Sequence, residues 1–192
     1  MESLSLQEEN LAERNSASKK LLLWVGIGSM VMLFAGLTSA YIVRKMEGEW
    51  KPFNLPLAFY FSTAIIILSS VTINMALSYA RKDKLVQSKQ FLFLTFLLGC
   101  GFVFSQVMGW GALVGQGIYL VGNPSGSFLF VLTGLHIVHL VGGIIALIVV
   151  NIRAVMNKYN SQNTLGIELS ASYWHFLDLL WIYLFLFLFF IH

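Results

Sequence analysis

From Gln90 to Ile152 the sequence contains no Asp, Glu, Lys or Arg. Surface in contact with water carries charge, and a soluble domain averages about a quarter charged residues. A stretch this long without any has no aqueous surface to offer, and it is too long for one buried helix. Over the whole 192-residue chain only 11% of residues are charged, against 57% hydrophobic and 15% aromatic. The mean hydropathy is +0.76. The chain reads as a polytopic membrane protein. Its formal net charge of +3 is modest, and the basic residues lie between apolar runs, so nucleic acid is not an expected partner.

Five apolar segments, at about 21–43, 57–80, 90–114, 127–150 and 172–191, approach or exceed the ~20 residues that cross a ~30 Å hydrocarbon layer. They predict an all-α fold, a bundle of five transmembrane helices occupying 19–192, preceded by a polar cytoplasmic tail at 1–18. The tail carries Glu2, Glu8, Glu9, Glu13, Arg14, Lys19 and Lys20 up to a run of full spanning length, unlike the short early apolar core of a cleavable leader. Pro52, Pro56 and Pro124 fall in or beside the connecting segments, where they break no spanning helix. Cys100, the one cysteine, sits in an apolar run and reads as a small core residue.

Basic residues set the orientation of a bundle like this, accumulating on the cytoplasmic side. Of the 12 Lys and Arg residues, all but Arg44, Lys45 and Lys51 belong to the tail, the second connection or the fourth. The expectation is a cytoplasmic N-terminus and an external C-terminus at His192. Aromatic residues near span ends (Trp50, Trp110, Tyr119, Tyr173, Trp174) read as interfacial belts. Small residues at Gly111-xxx-Gly115, Gly122-xxx-Gly126, Gly134, Gly142 and Gly143 read as places of close helix approach.

Polar residues inside the spans are the candidate functional groups, because hydrocarbon penalises them unless they are paired. His136 and His139 lie three apart on one face of the fourth span. His175 and Asp178 lie three apart near the start of the fifth, and Glu168 precedes them. Three readings fit the histidines: ligation of a metal or heme, a proton relay, or a hydrogen-bonded network in which His139 and His175 meet across helices near Asp178. Ser125 and Ser127 in "NPSGS" have only a Gly-Ser neighbourhood to suggest a nucleophile. Catalytic, cofactor-binding and metal-binding residues are expected to be absent from this chain, and the five polar residues to form a network.

The segments "SGSFLFVLTGLHIVHLVGG" (125–143) and "GIELSASYWHFLDLLWIYLF" (166–185) closely resemble the last two helices of subunit III of the heme–copper oxidases, the cytochrome c oxidase subunit 3 family. The first matches the family pattern without gaps at Gly126, Ser127, Phe128, Thr133, Gly134, His136, His139 and Gly143. The second matches at Gly166, Glu168, Tyr173, Trp174, His175, Phe176, Asp178 and Trp181. Weaker likeness runs over 55–76 and 98–106, so the resemblance covers about 20–191. It is similar to the short bacterial form, which lacks the two first helices of seven-helix members and with them one wall of a lipid-filled cleft. Members commonly carry a membrane-embedded Glu where this chain has Met30, and another a little after Gln106, where it has Gly109.

The resemblance implies a non-redox subunit of a proton-pumping terminal oxidase of the respiratory chain, in a bacterial inner membrane, reducing oxygen to water. Heme and copper would sit on subunits I and II, its partners, with a phospholipid as the bound molecule this chain admits. Its role would be to protect the heme–copper centre in subunit I and to aid proton uptake. The complex would take electrons from cytochrome c or, in the alternative, from quinol. A small unrelated transporter is the remaining reading; it would call for broken helices around a central substrate site.

Overall fold

The computed structural model describes residues 2–48, 50, 53–161 and 163–191, with side chains described from Arg14 onward. Lys51, Pro52 and His192, which enter the expected topology, lie outside the described residues. Among those described, five helices are long and apolar enough to cross a membrane. They are α1 (Glu2–Met46), α2 (Leu57–Arg81), α3 (Leu85–Gly115), α4 (Pro124–Val155) and α5 (Leu165–Ile191). The fold is all-α, as expected. With no water in hydrocarbon to satisfy backbone N–H and C=O groups, helices that bond internally are the natural solution.

The helix ends differ from the hydrophobic segments in a consistent direction. α1 runs on through the polar tail, so no break separates tail from span. α3 starts at Leu85, inside the connection expected to reach Lys89, and α5 starts at Leu165 and not near 172. Hydropathy marks where the bilayer ends, whereas a helix continues until something stops it. The stops are visible. Asp83 and Asn157 take the left-handed conformation, both at φ 54°, which Asp and Asn tolerate better than other side chains. Pro124 occupies the first turn of α4, where its missing N–H costs nothing, and the Asn123 side chain accepts a hydrogen bond from the Ser125 amide at 3.0 Å. Ser125 and Ser127 are therefore helix-start residues and not loop residues.

α2, α3, α4 and α5 form a closed ring of antiparallel neighbours, with the most extensive packing between α2 and α3. α1 docks on the outside of this ring against α4 and α5. At one end, Lys45 Nζ of α1 donates to the Ile191 carbonyl of α5 at 2.5 Å, and Thr38 Oγ1 bonds the Tyr183 hydroxyl at 2.9 Å. At the other, Ser161 N donates to Asp83 Oδ1 at 2.7 Å and ties the α2–α3 turn to the α4–α5 connection. A hydrogen bond from the Ser161 side chain, seconded by this one from its backbone, holds the Asp83 carboxyl below the usual carboxylate range.

Two tryptophans of α5, Trp174 and Trp181, are fully buried along the axis of the ring. Being seven apart, they lie on the same side of the helix about two turns from each other. Gly99 of α3 and Gly143 of α4 leave the space that the Trp174 ring fills. A Cβ at Gly99 would stand 2.7 Å from Trp174 Cη2, and one at Gly143 3.2 Å from its Cε3. Trp181 stacks on Phe59 of α2 at 5.9 Å and meets Phe102 of α3 edge-on at 5.0 Å. Trp174 is thus a core residue and not part of an interfacial belt. Of the expected small-residue sites, Gly111 and Gly115 face open space, whereas Gly126 and Gly143 are at true close approaches. Cys100 is exposed, contrary to the expectation that it lies in the core. One residue after Gly99, it is turned about 100° away from the Trp174 contact.

Gly99→Ala should destabilise the bundle by about 1–3 kcal/mol through overpacking against Trp174. Gly101→Ala, where nothing lies within 4 Å, should leave stability unchanged or slightly raised. Thermal unfolding in detergent distinguishes the two; equal midpoints would show that the Trp174 ring does not fill that space.

Candidate functional site

The polar groups within the ring follow one repeated arrangement. A Ser or Thr hydroxyl donates to a carbonyl three or four residues back in its own helix, and its oxygen accepts from an N–H on another helix. Trp174 Nε1 donates to Ser69 Oγ at 2.9 Å, while Ser69 donates to the Ile66 carbonyl. Trp181 Nε1 donates to Thr63 Oγ1 at 3.0 Å, while Thr63 donates to the Phe59 carbonyl. Gln106 Nε2 donates to Ser62 Oγ at 2.7 Å, and Trp110 Nε1 to Thr133 Oγ1 at 3.0 Å. The Thr72 and Thr95 hydroxyls lie 2.8 Å apart between α2 and α3. Of these hydroxyls, Thr133 matches the family pattern and Ser69 and Thr72 fall in the weaker likeness over 55–76, but the sequence did not reveal what they pair with. The signal was the density of Ser and Thr along α2, a helix whose hydroxyl residues face an indole-bearing neighbour.

The five expected network residues do not form one network among the described residues. His136 is fully buried, packed against Trp181 at 5.2 Å and Phe102 at 5.9 Å, and both ring nitrogens lack a hydrogen-bond partner. His139 turns the other way. Its Nδ1 donates to the Leu135 carbonyl at 2.7 Å, its ring meets Phe34 edge-on, and Tyr173 Oη donates to its backbone carbonyl at 3.1 Å. His175 bonds Ser70 Oγ through Nδ1 at 2.6 Å and Asn74 Oδ1 through Nε2 at 3.1 Å. The described hydrogen bonds therefore join His175 to α2 and not to His139. Glu168 closes the end of the α2–α5 seam, its Oε1 accepting from Arg81 at 3.0 Å and from Thr164 at 2.9 Å. As an acidic residue in the first turn of α5, it also complements the positive end of the helix dipole.

Asp178 is 3% exposed and faces the bundle, but both carboxyl oxygens are without a hydrogen-bond partner among the described residues. The Ser70 hydroxyl lies beside it and bonds His175 Nδ1 at 2.6 Å. No group of three or more His, Cys, Asp or Glu residues converges as metal ligands among the described residues. The three described imidazoles face an aromatic box, a cleft and the α2 seam respectively, so they do not fit a shared heme or copper.

The cleft lies between α1, α4 and α5 and has a volume of about 800 Å³. Its walls are apolar, including Leu22, Met30, Val149 and Leu169; His139 and Tyr173 line it, and Lys19 and Arg153 contribute charge. Beside Arg153, the Tyr159 phenol is raised above its ordinary pKa by burial, with the guanidinium pulling the other way. Met30, which stands where a Glu is common, is one of the cleft-lining residues. At the second such position, a Cβ on Gly109 would already lie 2.9 Å from the Phe59 ring. A carboxylate side chain there would displace a core aromatic.

The family model for cytochrome c oxidase subunit III matches residues 23–192. The probable cytochrome c oxidase subunit 3 of Nocardia farcinica is 32% identical over 188 residues, covering 95% of this chain and 91% of the relative. The cytochrome c oxidase subunit 3 of Corynebacterium diphtheriae is 32% identical over 181 residues, covering 87% of this chain and 88% of the relative. A probable quinol oxidase subunit 3 from Staphylococcus saprophyticus is 31% identical over 172 residues, covering 86% and 85%. A five-helix membrane bundle with this match over nearly all its length belongs to the cytochrome c oxidase subunit III family.

Proposed function

We propose that this chain is the non-redox third subunit of a proton-pumping terminal oxidase in a bacterial inner membrane. Heme and copper are carried by subunits I and II, and this chain supports the heme–copper centre of subunit I and its proton uptake. The observation that carries the reading is the location of the family-matching residues. Trp174, Trp181, Thr133 and Gly143 all serve helix packing, and the described histidines are dispersed among three environments. Such a chain is a scaffold for chemistry done next door. Cytochrome c is the preferred electron donor, in keeping with the names of the Nocardia and Corynebacterium relatives; the Staphylococcus relative, named for quinol, keeps that alternative.

The apolar cleft suits a phospholipid. Acyl chains fill its walls, and an anionic headgroup meets Lys19 and Arg153, an electrostatic attraction of the kind that holds acidic lipids near basic side chains. With the N-terminus in the cytoplasm, this mouth opens inward. The contacts Arg81–Glu168, Lys89–Asn157 and Asp83–Ser161 gather the basic connections at one end of the bundle, which supports that orientation.

Cysteines introduced by Lys82→Cys and Arg153→Cys, in a Cys100→Ser background, should react with an impermeant reagent only from the cytoplasmic side, and a cysteine added after His192 only from outside. Labelling with the opposite sidedness would overturn the orientation. For the function, the purified complex should keep its heme–copper spectrum when this chain is deleted, while activity decays during turnover. The intact complex should retain an anionic phospholipid that Lys19→Gln with Arg153→Gln loses. Loss of the spectrum with subunit I still assembled would instead give this chain a ligand role.

A further inference from the structure

One outward face of the bundle is polar at membrane depth. On α2, Ser70, Asn74 and Ser78 recur every fourth residue; on α5, Glu168, Ser172 and His175 recur every third or fourth. Asn74, Ser78 and Ser172 are exposed, and Ser70 and His175 are half-buried. The Arg81–Glu168 ion pair marks the end of this file. At about 1.5 Å per residue, Asn74 lies roughly 10 Å inward of Arg81, and Asp178 roughly 15 Å inward of Glu168. The outward faces of α3 and α4 differ: they present Phe93, Leu97, Phe104, Val138, Val141 and Ile145 along their spanning length.

Acyl chains offer such a file no hydrogen bonds, and polar groups left against hydrocarbon are penalised. Behind the file stands Asp178, a buried carboxyl whose two oxygens have no partner among the described residues. Intramembrane carboxyl groups of this kind are ordinarily paired. The Ser70 hydroxyl stands between this carboxyl and His175 and joins Asp178 to the polar file.

We infer that the α2–α5 seam is the docking face for a membrane-spanning helix of a companion oxidase subunit, one that presents hydrogen-bonding groups to the exposed file of Asn74, Ser78 and Ser172 and to the Asn74–His175 pair. The inference rests on the chain being an oxidase subunit and adds which face meets the partner and what chemistry the partner brings. Interhelical hydrogen bonds of this type specify register as well as affinity, so the file would fix the rotation of the bundle against its neighbour.

The test uses the assembled complex. A photoreactive benzoylphenylalanine in place of Ser172 should cross-link to a transmembrane peptide of a companion oxidase subunit, whereas the same probe in place of Val138 on α4 should not. Asn74→Leu should lower the companion subunit retained in detergent by about three- to thirtyfold, the range expected for losing an interhelical polar contact, and Asn74→Gln should largely preserve it. Adducts from Ser172 to lipid alone or to a second copy of this chain would overturn the inference. So would companion adducts arising only from Val138, with the proposed function left standing. If no oxidase subunit co-purifies with the unaltered chain, both fall.

Discussion

Two indole N–H groups on α5 lie in a medium that offers them no water, and where they find acceptors decides how the bundle is assembled. Trp174 reaches Ser69 and Trp181 reaches Thr63, both on α2. These bonds join the helices that close the ring, which are far apart in sequence. An indole that size also excludes side chains from the helices opposite, which is why Gly99 and Gly143 face the Trp174 ring. His136 likewise sits where it does because Trp181 and Phe102 box it in. The ring of four helices is thus organised around two side chains, with α1 added on its flank.

The same constraint separates two kinds of polar residue in the spans. Hydroxyls on α2 and α4 are used up twice over, donating within their own helix and accepting across to the next. His175 and Asn74 instead pair at one edge, with Asp178 buried behind them and its oxygens without a hydrogen-bond partner among the described residues. The cleft beside α1 differs in kind, being apolar with cationic side chains, and it suits lipid.

Hydrophobic run lengths made the five spans legible in the sequence, and that part of the fold follows from bilayer thickness alone. The boundaries were less legible because "LVQSK" at 85–89 and "LGIELSA" at 165–171 are polar enough to leave the membrane yet remain good helix. The candidate site was legible in residue type but not in pairing. His136 and His139 share a face by spacing, but at three residues apart they still point about 60° from each other, enough to send one into an aromatic box and the other to a cleft. Trp174 looked interfacial because it follows Tyr173 near the expected start of a span. The earlier start of α5 moves it inward, and the glycines opposite, which could have revealed it, lie on helices whose rotation hydropathy does not set.

The central claim is that the Trp174–Ser69 contact joins α5 to α2 energetically and not merely by proximity. A double-mutant cycle with Trp174→Phe, Ser69→Ala and their combination, read from equilibrium unfolding of the purified chain in mixed micelles, addresses it directly. The account predicts a coupling of about 0.6–1.7 kcal/mol, the range found for interhelical hydrogen bonds in membranes. Additive effects, with coupling within about 0.3 kcal/mol of zero, would contradict it.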